Sequence, residues 1–179
     1  MQNMKTKTNS SKEAKGLQGM KKRLYCMGTA TPQAHIQSVS EQVSVAAQLS
    51  PNQFEQLPQQ NFQTVLNLRS YQEEGASQRD RQRAESLGLT YANLPIESTE
   101  LRRAKINEVI QKICALPKPL LIYCRSARRA TFIALLYLAE EEGVTLEESR
   151  QRGRSLGFDF ENRPNFNQHM ERYIRNIAR

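Results

Sequence analysis

The stretch Leu121-Ile122-Tyr123-Cys124-Arg125-Ser126-Ala127-Arg128-Arg129 decides how this chain is read. An apolar run ends in a cysteine, a short cationic loop of small residues follows, and Ala130 to Glu140 then has helical composition. The expected local structure is strand, tight loop, helix. A cysteine at that strand end faces a helix N-terminus, where orphan backbone N–H groups and the helix dipole favour negative charge. Arg125, Arg128 and Arg129 add cationic charge, and such surroundings favour a thiolate, the nucleophilic form of cysteine.

Outward from this loop, apolar runs alternate with helical patterns. On the N-terminal side, residues 43–48 read as a first strand, and Ser50-Pro51-Asn52-Gln53 as a capping-box helix start with proline in its first turn. Residues 62–68 read as a second strand, and a charged helix ends near Leu87, stopped by Gly88. Residues 89–96 form a third strand. Leu101, Ile106, Val109, Ile110, Ile113 and Leu116 recur at helical spacing. Leu120 to Tyr123 is a fourth strand, expected to be central and buried on both faces. Beyond the loop helix, Gly143 and the Thr145–Glu148 capping box start another helix, and a last one covers about 165–178. This alternation predicts an α/β three-layer sandwich: a mostly parallel four- or five-stranded sheet between helices. A ligand belongs beyond the C-terminal strand ends, where Cys124 falls.

Composition bounds the rest. The chain has 179 residues, 38% of them hydrophobic, and a mean hydropathy of -0.69. It fits one domain with an extension: a basic arm and linker over 1–38, expected to be disordered, and the α/β domain over 39–179. Of the net charge of +8, +6 lies in residues 1–23, which carry seven Lys or Arg and one Glu. That arm has no aromatic before Tyr25 to stack on a base, so nucleic acid is not an expected partner. No apolar stretch reaches the length of a membrane span, and no apolar region follows Lys21-Lys22-Arg23 as a secretory signal requires. Cys26, Cys114 and Cys124 lack zinc or paired spacing, which points to a reducing cytoplasm without a metal or cofactor. His35 and His169 have no ligand spacing either.

Two reaction classes use a strand–cysteine–loop–helix. In one, the thiolate attacks phosphorus while amides and an arginine hold the equatorial oxygens; in the other, it carries sulfane sulfur as a persulfide. The first needs a general acid. Glu97, just past Pro95-Ile96, is the best-placed carboxylate for it and Glu100 the second. The competing reading puts both in the first turn of a helix. Glu73 or Glu74 is expected to hold a loop arginine, Arg69 to face the pocket or make a strand-end salt bridge, and Cys114 to lie in the core.

Residues 62–69, Glu73-Glu74, 88–96 and 119–129 together resemble the bacterial beta-lactamase-hydrolase-like phosphatase family, within the cysteine-based tyrosine and dual-specificity phosphatase fold. The resemblance rests on Asn67-Leu68-Arg69, the following Glu, Leu94-Pro95-Ile96 and the loop, and it covers about residues 40–140. It implies Cys124 as nucleophile, Arg129 as oxyanion-binding arginine, and Arg125, Ser126, Ala127 and Arg128 as the cradle with Arg69 near by. The substrate it implies is a phosphomonoester, phosphotyrosine or a small phosphorylated molecule. The loop departs from the general tyrosine phosphatase signature in enclosing four residues rather than five, a length similar to rhodanese-type sulfurtransferases. Ala127 replaces a glycine and Ala130 a hydroxyl residue, so a positive φ at 127 would be strained and turnover slowed. A sulfurtransferase and a non-enzymatic phosphate- or phosphoprotein-binding module are the alternative readings.

Overall fold

The computed structural model describes residues 35–177; the basic arm and Cys26 lie outside the described residues. Five strands form one sheet: β1 (Gln37–Ser38), β2 (Val43–Ala46), β3 (Thr64–Asn67), β4 (Thr90–Asn93) and β5 (Leu120–Tyr123), in the order β1-β2-β5-β3-β4. All pairings are parallel except β1 with β2. The antiparallel β1 comes from the end of the stretch read as linker. β5 is the central strand and buried throughout, as its uninterrupted apolar run predicts.

Side-chain alternation along β5 divides the core into two layers. Leu121 and Tyr123 pack with Phe54 and Leu57, on the side of α1 (Pro51–Gln56) and α2 (Arg79–Ser86). Leu120, Ile122 and Cys124 face the opposite layer, which contains α3 (Arg103–Ala115), α4 (Arg128–Glu141) and α6 (Pro164–Ile177). The short helix α5 (Leu146–Ser155) packs on α4 and α6. The three-layer α/β sandwich is therefore present.

Local chemistry accounts for the element ends. The Ser50 N–H donates to Gln53 Oε1 at 2.9 Å, closing the capping box of α1, and the Thr145 N–H does the same to Glu148 at 2.8 Å for α5. α2 stops at Gly88, whose φ of 77° is open to glycine without a Cβ clash. In register, Ala46 and Asn67 both pair with Tyr123, and Asn93 with Asn67. The parallel strands thus end level, and the residues after them share one rim. Among the described residues no helix is long and apolar enough to cross a membrane.

One expectation fails in this layer. Cys114 is exposed, with its Sγ 3.4 Å from Glu141 Oε1. The buried stripe of α3 is Ile106, Val109, Ile110 and Ile113; Cys114, one helical step past Ile113, sits outside it. Partial loss of hydration and the neighbouring Glu141 push its thiol pKa upward.

Candidate active site

Cys124 is 1% exposed and stands directly beyond the central strand. Its N–H donates to Ala46 O at 3.3 Å, and the Leu68 N–H donates to Tyr123 O at 3.0 Å, fastening the strand end on both sides. The loop is held against the end of β2 by a bridge between Ala47 and Ser126 and by the Gln48 N–H to Arg125 O. Ala127 has φ 63° and ψ −13°, the left-handed conformation, and caps α4 without any side-chain bond. Position 127 is therefore one at which an alanine Cβ is strained. The first intrahelical bond of α4 is Thr131 N–H to Ala127 O at 2.8 Å. The amides of Arg128, Arg129 and Ala130 consequently have no intrahelical acceptor, and the loop that precedes them begins at Cys124.

The three arginines have different surroundings. Arg129, 9% exposed, is clamped by Glu73: Nη1 to Oε1 at 2.7 Å and Nη2 to Oε2 at 2.6 Å. Nη1 also donates to Leu68 O at 3.3 Å and Ile96 O at 3.0 Å. The Glu73 bond keeps this guanidinium more firmly protonated than usual, and Cys124 adds to the effect. Its partner Glu73 is held below the ordinary carboxylate range, chiefly by Arg129 and against the opposing cost of burial. Arg125 is exposed and 3.5 Å from Glu74, a surface pair of little energetic weight. Arg128 is half-buried, and its Nε, shut off from solvent, has no hydrogen-bond partner. The expectation that Glu73 or Glu74 holds a loop arginine is met twice, once strongly and once weakly.

Arg69 takes the strand-end role instead of facing an anion. It is 1% exposed, its Nη1 donates to Gln48 Oε1 and Gly75 O, its Nη2 to Glu74 O, and Nε lies 3.5 Å from Glu73. It ties the 70–76 loop to the sheet, and thereby positions Glu73. Glu97 is exposed and follows Ile96, whose carbonyl accepts from Arg129. Neither Glu97 nor Glu100 is in a helical turn, because α3 begins only at Arg103 and has no acid in its first turn. Ser126 contributes backbone at the Ala47 bridge.

Behind the cysteine loop lies a buried polar network that the sequence did not disclose. Tyr123 Oη donates to Asp80 Oδ2 at 3.0 Å, Gln48 Nε2 donates to the same oxygen at 2.9 Å, and Asn67 Nδ2 donates to Tyr91 Oη at 3.0 Å. Burial raises the Tyr123 hydroxyl pKa, and that of Tyr91 to about 12. The network joins the residue before Cys124 to Gln48, the partner of Arg69. Its members are far apart in the chain, and only the polar Asn67 and Tyr123 within apolar strands hinted at it.

A five-stranded sheet with a cysteine loop between its central strand and a helix defines the protein tyrosine phosphatase-like class of α/β fold. Solved structures agree: the nma1982 protein of Neisseria meningitidis Z2491, a candidate phosphatase, superimposes with a TM-score of 0.66 at 23% identity, over 77% of this chain and 97% of that one. P. aeruginosa TpbA superimposes with a TM-score of 0.63 at 15% identity, over 84% of this chain and 100% of that one. At these identities the likeness is one of fold. The chain belongs to the family of the beta-lactamase hydrolase-like protein, phosphatase-like domain, which matches residues 35–140. Beta-lactamase hydrolase-like proteins of Agrobacterium fabrum and Xylella fastidiosa are each 23% identical, over 68% and 69% of this chain. The chain spans only 29% and 30% of those relatives' lengths.

Proposed function

We propose that this chain is a cysteine-dependent phosphatase acting on phosphomonoesters. The observation that carries the reading is the buried Cys124, set at the end of the central strand beside Arg129 and below the uncapped first turn of α4. In this reading the Cys124 thiolate attacks phosphorus, an S–P bond forms, and the P–O bond to the leaving group breaks. Glu97 in its acid form gives its proton to the departing alkoxide. Water then attacks phosphorus, the S–P bond breaks back to thiolate, and Glu97 takes the water's proton. The equatorial oxygens rest on Arg129 and on the loop amides, that of Arg128 among them. A phosphotyrosine side chain is one substrate of this class; a cysteine-to-serine form of TpbA has been solved in complex with phosphotyrosine. The free thiols of Cys114 and Cys124 suit a reducing cytoplasm.

A second reading, a phosphate- or phosphoprotein-binding module, is favoured by the strained Ala127 and by Ala130 at the position after Arg129. The sulfurtransferase reading draws on the four-residue spacing from Cys124 to Arg129. Purified protein assayed with an aryl phosphate, and with thiosulfate plus cyanide, separates the three. Aryl phosphate hydrolysis that vanishes in Cys124→Ser is the expected result; hydrolysis undiminished in that variant would refute the cysteinyl-phosphate. Thiocyanate release would establish the sulfurtransferase. Phosphate binding without turnover of either substrate would leave the binding module.

A further inference from the structure

On the α3 and α6 side of the sheet a cationic cavity lies apart from the cysteine loop. It has a volume of about 150 Å³ and is lined by Leu101, Arg102, Arg103, Ile106, His169, Arg172 and Tyr173. Leu101, Ile106 and Tyr173 are buried and form an apolar floor, while the three arginines are exposed around it. Of the carboxylates near by, Glu108 pairs with Lys105 and Glu171 with Arg150 and Arg175; Glu140 accepts from Oη of the lining Tyr173, and Glu100, next to Leu101 in the chain, is exposed and in no ion pair among the described residues. Among the described residues, none of the ion pairs includes Arg102, Arg103 or Arg172. The first turn of α3 opens beside the cavity, without a side-chain cap or an acidic residue. Its first intrahelical bond is Ile106 N–H to Arg102 O, so the amides of residues 103–105 have no intrahelical acceptor.

Three unpaired guanidinium groups around one cavity repel one another, and a polyvalent oxyanion relieves that repulsion with bidentate hydrogen bonds. An apolar floor adds nothing for a free inorganic ion, but it shields the carbon part of an organic one. We propose that this cavity is a second binding site, which takes a phosphomonoester group with its short apolar portion seated on Leu101, Ile106 and Tyr173. The site does not depend on Cys124 chemistry. The Glu97–Leu101 segment connects it to the cysteine loop: Arg129 holds Ile96 O at one end, Asn165 Nδ2 holds Ser98 O in the middle, and Leu101 enters the cavity at the other. The imidazole of His169 is kept below its ordinary pKa by burial and by Arg172, and as a lining residue it senses an anion arriving in the cavity.

The chain has two histidines, His35 and His169, so ¹³C-labelled histidine gives a two-resonance NMR readout, assigned with His35→Gln. The full chain is titrated with inorganic phosphate and with phenylphosphonate, a non-hydrolysable monoester analogue, at constant pH and ionic strength. Saturable movement of the His169 resonance is expected, with phenylphosphonate binding at least threefold more tightly than phosphate. Arg103→Gln/Arg172→Gln should weaken both by tenfold or more, and Arg128→Gln, at the cysteine loop, should leave the His169 titration as it was. Arg102→Gln/Arg172→Gln serves if the first double variant does not fold. No saturable movement, unchanged binding in the double variants, or loss in Arg128→Gln would each overturn the site. Equal affinity for the two anions would overturn its assignment to an organic phosphate. None of these outcomes bears on whether Cys124 cleaves a phosphoester, which the Cys124→Ser assay tests separately.

Discussion

At the scale of single residues, Ala127 is the position where backbone and side chain conflict. Its φ of 63° is forced by the turn from β5 into α4, with Thr131 N–H on its carbonyl and the Ser126 bridge just before it. A left-handed L-residue costs roughly 1–2 kcal/mol, part of which is returned because alanine leaves the unfolded chain less freedom than glycine. Ala127→Gly should therefore stabilise the protein by about 1 kcal/mol, raising Tm by roughly 2–4 °C for a chain of this size. Calorimetry checks this, and a lower Tm in the variant would mean that the alanine is not strained. The place of Cys124, three residues earlier, just past the central strand was legible, because an uninterrupted apolar run stops there and a cationic loop follows. Arg69 was not: its sequence context, a strand end before two glutamates, fits a pocket residue and a structural one equally. Only the carbonyls of Glu74 and Gly75, supplied by the returning loop, decide between them.

At the scale of elements, the strand–loop–helix unit is braced from two directions. From one side the 70–76 loop delivers Glu73 to Arg129. Glu73→Ala would leave a largely buried guanidinium unpaired, and is expected to cost about 2–4 kcal/mol, tempered by the pair's partial access to water. Urea denaturation measures it, and a loss under 0.5 kcal/mol, the scale of a surface change, would show that the two backbone carbonyls suffice for Arg129. From the other side, α5 supports α4 through the turn after it. A Cβ on Gly153 would lie 2.9 Å from Phe158 O and 3.0 Å from the Phe160 ring, and Phe160 in turn packs edge-on against Phe132 of α4. Gly153→Ala should thus destabilise by roughly 1–3 kcal/mol, as overpacking does, and unchanged thermal stability would mean that the turn yields freely. The element order itself was readable, since apolar runs, the two capping boxes and Gly88 each act over a few residues. Cys114 was misread because helical spacing defines a stripe but not its edge, which is set by how α3 lies on its neighbours.

At the scale of the whole molecule, the charges that brace the cysteine loop tie the protein's stability to pH. The Glu73 carboxyl has a lower pKa in the folded chain than its unfolded value, chiefly through Arg129, so below the usual carboxylate range the unfolded chain binds more protons than the folded one. The stabilisation from this group is complete above the unfolded value, about 4.3 for glutamate, and drains away as pH falls through the lower folded value. His169, whose folded pKa is also lowered, loses its own contribution at milder acidity, below about pH 6.5. The two are separable because their windows differ. In Glu73→Gln the amide cannot lose a charge, so its urea midpoint should start lower at pH 7 and fall less between about pH 5 and pH 3 than that of the unsubstituted chain, while the decline around pH 6 stays the same in both. Glu148 and Asp159, also lowered by their local hydrogen bonds, keep some acid dependence in the variant. Parallel curves for the two proteins from pH 5 to pH 3 would show that Glu73 carries no linked charge, and the ion pair beside Cys124 would then be a bystander to folding.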